Sequence, residues 1–344
     1  MKQGKFILSA DPPDTDAAAG LEDAADAGPD AEARPFVIAA QQHGDRLDRA
    51  LAALAPEFSR SYLQQLIEAG AVTLGGAPAV RSSLKVRAGD TGVIELRPTP
   101  QSQAFRPESM DLKVVFEDEH LLVIDKPAGL VVHPAPGNWS GTLLNGLLAR
   151  DPRAALLPRA GIVHRLDKDT SGLMVVARTR ATMDALVQRI AAREVARQYV
   201  ALAHRPWGGG ALRQVDAPIG RDPRNRLRMA VVESGKPATT VFERLQDGAQ
   251  GCWVRATLQT GRTHQIRVHM AHIGHPLVAD VLYGGAAAAG LGRQALHAYR
   301  LAFAHPASGA ALEFRAPLPE DLRQALVHWG LRYNDFEWLQ SHAP

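Results

Sequence analysis

Apolar and polar positions along the chain fall into two blocks separated by a proline-rich stretch. Between Phe36 and about Leu96 the pattern predicts a small module. Arg46-Leu47-Asp48-Arg49-Ala50-Leu51 opens a first helix, with Leu47, Leu51 and Leu54 on one face. Ser59-Arg60-Ser61-Tyr62-Leu63-Gln64-Gln65-Leu66-Ile67 opens a second, with Ser59 as N-cap. Gly70 to Leu74 followed by Gly75-Gly76 reads as a strand and a tight turn, and Lys85 to Asp90 leads into a last strand, Gly92 to Leu96. Residues 98–107 hold three prolines and little apolar content, which suits a linker. From Leu112 onward short apolar runs alternate with Gly/Pro turns. Leu112–Glu117 and Leu121–Lys126 predict a hairpin, and Thr142–Leu148 and Ala181–Ala192 predict helices. Leu173–Ala177, Ala196–Ala203, Thr239–Leu245, Trp253–Leu258 and Gln265–Met270 predict strands. In the last of these, Gln265, Arg267 and His269 share one face and Ile266 and Val268 the other. The sum is an α+β chain with a large mixed, mainly antiparallel sheet, without internal repeat, P-loop or dinucleotide fingerprint.

Composition adds boundaries. A chain of 344 residues with 46% apolar content suffices for two domains of ordinary size. The net charge of +3 hides an asymmetry: residues 1–34 carry three cations against eight acids, and the remainder 36 cations against 28 acids. Residues 1–35 therefore read as a disordered acidic leader, and the folded part as basic, which favours a polyanion such as RNA as partner. One cysteine, Cys252, excludes an internal disulfide and fits a reducing cytoplasm. No apolar run approaches the roughly 20 residues of a membrane span, and the apolar core of the opening residues is too short for a signal peptide. A cytoplasmic monomer is the default expectation.

The richest local chemistry lies between His164 and Gly172, where two acids, Asp167 and Asp169, sit among three cations, His164, Arg165 and Lys168. A carboxylate held beside fixed cations stays ionised and can act as a nucleophile. Spacing alone favours the other reading, turn acids satisfied by local salt bridges. Four histidines, His264, His269, His272 and His275, lie close in sequence, but with no cysteine among them and no HExxH pattern they read as structural rather than as metal ligands.

The run Gly161 to Leu173 resembles, without a gap, the catalytic loop of the pseudouridine synthase family that acts on structured RNA. Further segments carry the same resemblance: Asp125 to Pro134, Arg193 to Tyr199, Leu258 to Met270, Gln294 to Ala298 and Ala316 to Pro319. The order of elements from Phe36 to about residue 97 resembles the S4 RNA-binding domain, which makes Arg46, Arg49, Arg60, Arg81 and Lys85 candidate phosphate contacts. The resemblance implies domains at 36–97 (S4-like) and 108–330 (catalytic), followed by a tail over 331–344. It implies isomerisation of uridine to pseudouridine in RNA, with the target base taken out of its stack and no cofactor or metal. Asp167 is the implied nucleophile. By the same resemblance Tyr199 would stack on the uracil and could also assist loss of the proton from carbon five, Arg267 would aim Asp167, Ile266 would pack on the uracil, and Arg165 would fill the vacated space. His164 braces the loop or touches the RNA backbone. Attack on the sugar, attack on the base and a glycal route all remain open. Asn334 to Leu339 resembles a tail in the branch of the family that modifies the helix 69 loop of 23S ribosomal RNA. The same chemistry on transfer RNA or another large-subunit site, and a non-catalytic RNA-binding assembly factor, are the competing readings.

Overall fold

Residues 32–97, 104–135 and 137–332 are described by the computed structural model. The chain divides into two units, Met1–Thr99 and Pro100–Pro344. The first contains β1 (Glu32–Val37), α1 (Leu47–Leu54), α2 (Arg60–Glu68), β2 (Val72–Leu74), β3 (Ala77–Pro78) and β4 (Thr91–Leu96). Its antiparallel sheet runs β1-β4-β2-β3. Leu47 and Leu51 of α1 and Leu63 and Ile67 of α2 pack on Phe36, Val72 and Ile94 of that sheet. Ser59 caps α2 by accepting the Tyr62 amide at 3.2 Å. Gly75 and Gly76, at φ 59° and 82°, supply the two positive φ angles that a tight β2–β3 turn requires. The acidic leader ends earlier than expected. Its residues 32–35 form the start of β1, because pairing with Val93 to Leu96 of β4 satisfies their backbone; residues 1–31 lie outside the described residues.

Asp48, fully buried on α1, accepts from Arg46 Nε at 3.1 Å, Arg60 Nη2 at 2.9 Å and Gln64 Nε2 at 2.5 Å. Burial alone would raise its pKa, but the hydrogen bonds from Arg46, Gln64 and Arg60 outweigh it and hold the carboxyl well below the usual carboxylate range. Arg60 and Gln64 of α2 thus fasten that helix to α1, while Arg46 holds Asp48 from the start of its own helix.

The second unit contains β5 (Val114–Glu117), β6 (Leu121–Lys126), α3 (Leu143–Arg150), β7 (Ser171–Ala177), α4 (Arg180–Ala191) and β8 (Ala196–His204). There follow β9 (Leu212–Asp216), β10 (Ile219–Asp222), β11 (Asn225–Val231), β12 (Thr239–Asp247), β13 (Gly251–Leu258) and α5 (Gln265–His272). The last elements are β14 (Leu296–Ala304), β15 (Ala311–Arg315) and α6 (Glu320–His328). Among the described residues a nine-stranded sheet has the order β5-β6-β7-β14-β8-β13-β12-β9, with β15 also on β14. Its strands pair antiparallel except at β7 and β14, which run parallel where Ser171 and Gly172 meet His297 and Ala298. Strands β10 and β11 form a separate hairpin.

Both faces of the sheet are covered, which explains the continuous apolar runs of β6 and β7. Leu122, Ile124, Met174 and Val176 face α3, with Tyr199 and Ile266 in the same core. Leu121, Val123, Leu173 and Val175 face the other way, with Leu186 of α4 and with Phe303 and Phe314. Trp253 and Tyr299 pack with Leu322 and Leu326 of α6.

Segment 265–270 is helical, not extended. His264 adopts a left-handed conformation (φ 55°) that breaks the preceding chain direction. Gln265, the first helical residue, accepts the Arg262 amide at 2.9 Å and so ties the incoming turn to the start of the helix. The apolar/polar alternation mimicked a strand because Val268 packs on the β10–β11 side, with Ile219, while Ile266 and Met270 join the main core. In the helix Gln265 and His269 both reach Thr240 Oγ1, at 2.9 Å each, and Arg267 projects elsewhere.

Two further boundaries move. Ala104 is buried, and the Ala104 and Arg106 carbonyls accept from Asn145 Nδ2 at 3.2 and 2.8 Å, so the end of the proposed linker packs on α3. At the other end Leu331 is buried with Trp329, which places the start of the proposed tail in the core; residues 333–344, including the Asn334–Leu339 motif, lie outside the described residues. No helix among the described residues is long and apolar enough to cross a membrane.

Gly172 sits at φ 113°, and a Cβ there would meet the Ala298 carbonyl oxygen at 2.2 Å. Only glycine allows β7 and β14 to approach so closely. Gly172→Ala is expected to destabilise the protein by about 3 kcal/mol or more in chemical denaturation; a loss below about 0.5 kcal/mol would show that the contact relaxes freely.

Candidate active site

The loop from His164 to Thr170 enters β7 and is fastened from four sides. Lys126, at the end of β6, is only 1% exposed, and its Nζ donates to the carbonyls of Pro127, Leu130 and Lys168 at 2.8, 2.9 and 2.9 Å. The Gly129 amide donates to the same Lys168 carbonyl at 2.9 Å. Arg293 donates to the Asp169 carbonyl at 2.9 Å and pairs with Asp321 of α6 at 2.7 Å. Ser171 Oγ lies 2.9 Å from His297 Nδ1, and Gln294 donates to Thr170 Oγ1 at 3.3 Å. Burial lowers the Lys126 ammonium to about 8, against the pull of the Asp169 and Asp167 carboxylates.

His164 is a brace. Its Nε2 accepts the Val175 amide at 3.0 Å, which requires the neutral ring with its proton on Nδ1. Burial, reinforced by the Arg197 charge, lowers His164 to about 3, so the ring stays neutral at pH 7.

Asp167 meets α5 across the cavity. Arg267 Nη1 donates to Asp167 Oδ2 at 3.0 Å. The same guanidinium forks onto Asp280, with Nε to Oδ2 at 2.7 Å and Nη2 to Oδ1 at 2.8 Å. Its other face lies 4.9 Å from the centre of the Tyr283 ring. Tyr283 Oη in turn takes the Met229 amide at 3.0 Å and lies 2.7 Å from His264 Nδ1. Burial alone would lower the Arg267 pKa, but Asp280 and Asp167 more than offset it and raise it above the usual arginine value. His264 Nε2 lies 3.8 Å from Asp167 Oδ1, and burial pulls its pKa down despite that carboxylate, so the guanidinium is the strong partner.

These groups open onto a cavity of about 760 Å³. Asp167, Tyr199, Arg267, Arg165, His164 and Ile266 all line it, whereas Asp169 does not. Tyr199 stands on β8, buried, and burial pushes its phenol up to about 12, with the Asp167 charge adding to the rise and Arg197 opposing it. It therefore offers a neutral ring and a hydroxyl rather than a phenolate. Arg159, Arg193 and Arg262 stand exposed around the same cavity and make it a positive concavity.

The motifs did not single out Lys126, Asp280 or Arg293 as site-building residues. Asp280 had one sequence signal: a carboxylate inside the apolar run from Leu277 to Leu282 is either exposed or paired with a buried cation. Two of the histidines near α5, His269 and His275, are used structurally. His269 lies between Thr240 Oγ1 and the Ala217 carbonyl, 2.9 Å from each, and His275 stacks on Trp207 at 5.1 Å.

The phosphate candidates of the N-terminal unit differ among themselves. Arg46 and Arg60 are half exposed but occupied by Asp48. Arg49 is 71% exposed, with Asp45 at 3.6 Å. Lys85 donates to the Gly44 carbonyl at 2.9 Å, and Arg81 is exposed. Arg49 and Arg81 are the more open of the five.

His164, His133 and His297 are lowered to about 3, 4 and 4, chiefly by burial. A histidine depressed in the fold lends stability above its unfolded pKa of about 6.5 and loses it as pH falls toward the folded value. The melting temperature should therefore drop between pH 6.5 and 4. His164→Gln, whose amide oxygen can still accept the Val175 amide, should take up about one proton fewer on unfolding. An unchanged pH slope in that variant would show that His164 is charged or unburied.

Comparison with known proteins accounts for this arrangement. A family model described as RNA pseudouridylate synthase matches residues 120–272, and an S4 domain model matches residues 45–91. The chain is 48% identical over 297 residues to "Ribosomal large subunit pseudouridine synthase D" of Neisseria meningitidis serogroup B, covering 82% of this chain and 78% of the relative. It is 44% identical over 300 residues to the protein of that name from Escherichia coli O6:H1, covering 83% and 90%. Among solved structures, "Human RNA Pseudouridylate Synthase Domain Containing 1" superposes with a TM-score of 0.52 at 27% identity, over 70% of this chain and 99% of that one. With Asp167 held by an arginine in a basic cavity, and relatives of this identity over most of its length, the chain belongs to the RNA pseudouridylate synthase family, in the form that carries an S4 domain ahead of the synthase domain.

Proposed function

We propose that this enzyme isomerises uridines to pseudouridine in large-subunit ribosomal RNA, in the helix 69 loop of 23S rRNA, with Asp167 as the nucleophile. The observation that carries the reading is the Asp167 carboxylate standing at the wall of a basic cavity, aimed by Arg267 at 3.0 Å. The names of the relatives supply the class of RNA.

The flipped uridine enters the cavity and stacks between the Tyr199 ring and the Ile266 side chain. Arg165, exposed at the rim, fills the space the base leaves in the RNA stack. Asp167 acts on the nucleotide, the bond from N1 to the sugar breaks, the base turns, and carbon five joins the sugar. The proton on carbon five then leaves, with the Tyr199 hydroxyl positioned to relay it, and N1, freed from the sugar, takes up a proton in its place. Bonds broken and formed balance with no change of oxidation state, so the residues of the chain suffice. The N-terminal S4 domain supplies affinity through phosphate contacts from its open cations, Arg49 and Arg81 foremost. A ribosomal RNA substrate supports a cytoplasmic location, and the proposed groups all lie on one chain, which supports a monomer.

The test is pseudouridine mapping on 23S rRNA from cells lacking the protein, complemented with wild type or Asp167→Asn. Loss of signal in helix 69, restored by wild type alone, is the expected result. Product formed by Asp167→Asn would remove the nucleophile assignment, and loss at another site with helix 69 intact would move the substrate.

A further inference from the structure

Arg197 lies two residues before Tyr199 on β8, on the same face of the strand, and lines the cavity. It is 6% exposed, and its Nε is buried with no hydrogen-bond partner. Among the described residues its guanidinium makes no hydrogen bond and no ion pair, whereas Arg267, equally buried, holds two carboxylates. The loop opposite leaves room for it: a Cβ at Gly261 would stand 2.8 Å from Arg197 Nη1. The Arg197 charge is nonetheless felt in the site, since it lowers both the His164 and the Tyr199 pKa.

A buried Nε without a partner is costly, and no anion is paired with the Nη atoms of this cavity-lining arginine among the described residues. A ligand that brings a formal negative charge relieves it. Uracil is neutral and offers carbonyl oxygens only, while each nucleotide carries one phosphodiester, whose paired oxygens match the planar fork of arginine. The arginines at the rim, Arg159, Arg165, Arg193 and Arg262, are exposed and can follow the backbone outside. Arg197 is the buried cation left for the nucleotide that enters.

Resting on the reading of the cavity as the site of the flipped uridine, we propose that Arg197 is the phosphate-binding residue for that nucleotide. It takes the phosphodiester on one side of the target uridine and so sets how deep the base sits against Tyr199 and Asp167. The guanidinium is unpartnered before RNA arrives and paired afterwards, so binding energy is gained at the flipped nucleotide and not at stacked neighbours. This favours the extruded state of the RNA.

The experiment uses the full chain and a helix 69 stem–loop, natural or with an uncharged methylphosphonate on the 5′ or the 3′ side of the target uridine. Dissociation constants and single-turnover rates are measured for wild type, Arg197→Gln and Arg197→Lys, with thermal melting to confirm folding. Arg197→Gln should weaken binding of natural RNA about ten- to hundred-fold, the range for one charge-assisted contact, and lower the salt dependence of binding by about one counterion. Wild type should lose a similar factor with one of the two neutralised RNAs. The variant and that RNA combined should lose little more than either alone. Arg197→Lys, which keeps the charge, should recover part of the affinity, and it carries the same coupling test should the Gln variant fail to fold. Fully multiplicative losses would overturn the assignment. So would a fall in single-turnover rate at unchanged affinity, which would assign Arg197 to the charge developing on the leaving base. Wild-type turnover of the natural stem–loop reports separately on the substrate.

Discussion

The site depends on one guanidinium shared between two carboxylates. Arg267 forks onto Asp280 with two hydrogen bonds and spends its remaining donor direction on Asp167. Asp280 is almost fully buried, whereas Asp167 is partly open to the cavity. The arrangement has a direction: the buried carboxylate fixes the arginine, and the arginine fixes the carboxylate that faces the cavity. Buried ion pairs of this kind contribute little net stability, because desolvation offsets attraction. Their value here is geometric, since a planar fork holds its donors in known directions.

The rest of the catalytic unit can be understood as keeping the two partners in register. Asp167 belongs to a loop whose carbonyls at Lys168 and Asp169 are held by Lys126 and Arg293. His164, before it, is tied to the backbone of β7. Gly172, after it, lets β7 lie against β14. Arg267 rides on α5, whose outer face is fixed to β12 through Gln265, His269 and Thr240. The S4 domain uses the same device in miniature, with Asp48 buried beneath Arg46, Arg60 and Gln64. That use leaves Arg46 and Arg60 engaged within the domain, while Arg49 and Arg81 stay more open.

Much of this was legible in the sequence, for reasons that differ by residue. The helices of the first unit followed from Leu47, Leu51, Leu63 and Ile67, because each buries a single stripe. The strands β6 and β7 followed from uninterrupted apolar runs, because both faces of the sheet are covered. The loop around Asp167 was legible because its chemistry is local and its residue order is unusual. Segment 265–270 was misread because its alternation arises from a helix packed on two sides, Ile266 toward one core and Val268 toward another. Period-two patterning cannot separate that case from a strand. Asp280 and Arg293 escaped because their roles come from contacts over long sequence separation, and neither lies in a run with a periodic signal. Arg197 stood inside a quoted motif, yet only burial without a partner distinguishes it from an ordinary strand-face cation.

The central claim is that the forked bridge, and not merely a positive charge, aims Asp167. The most direct measurement is the single-turnover rate of Arg267→Lys on the helix 69 stem–loop beside its RNA affinity. Lysine keeps the charge but cannot span both carboxylates. The account predicts a rate lower by about a hundredfold or more, the cost of misplacing a reacting group by about 1 Å, with affinity near that of wild type. A rate within about twofold of wild type would contradict it, and would leave Asp167 positioned by its own loop alone.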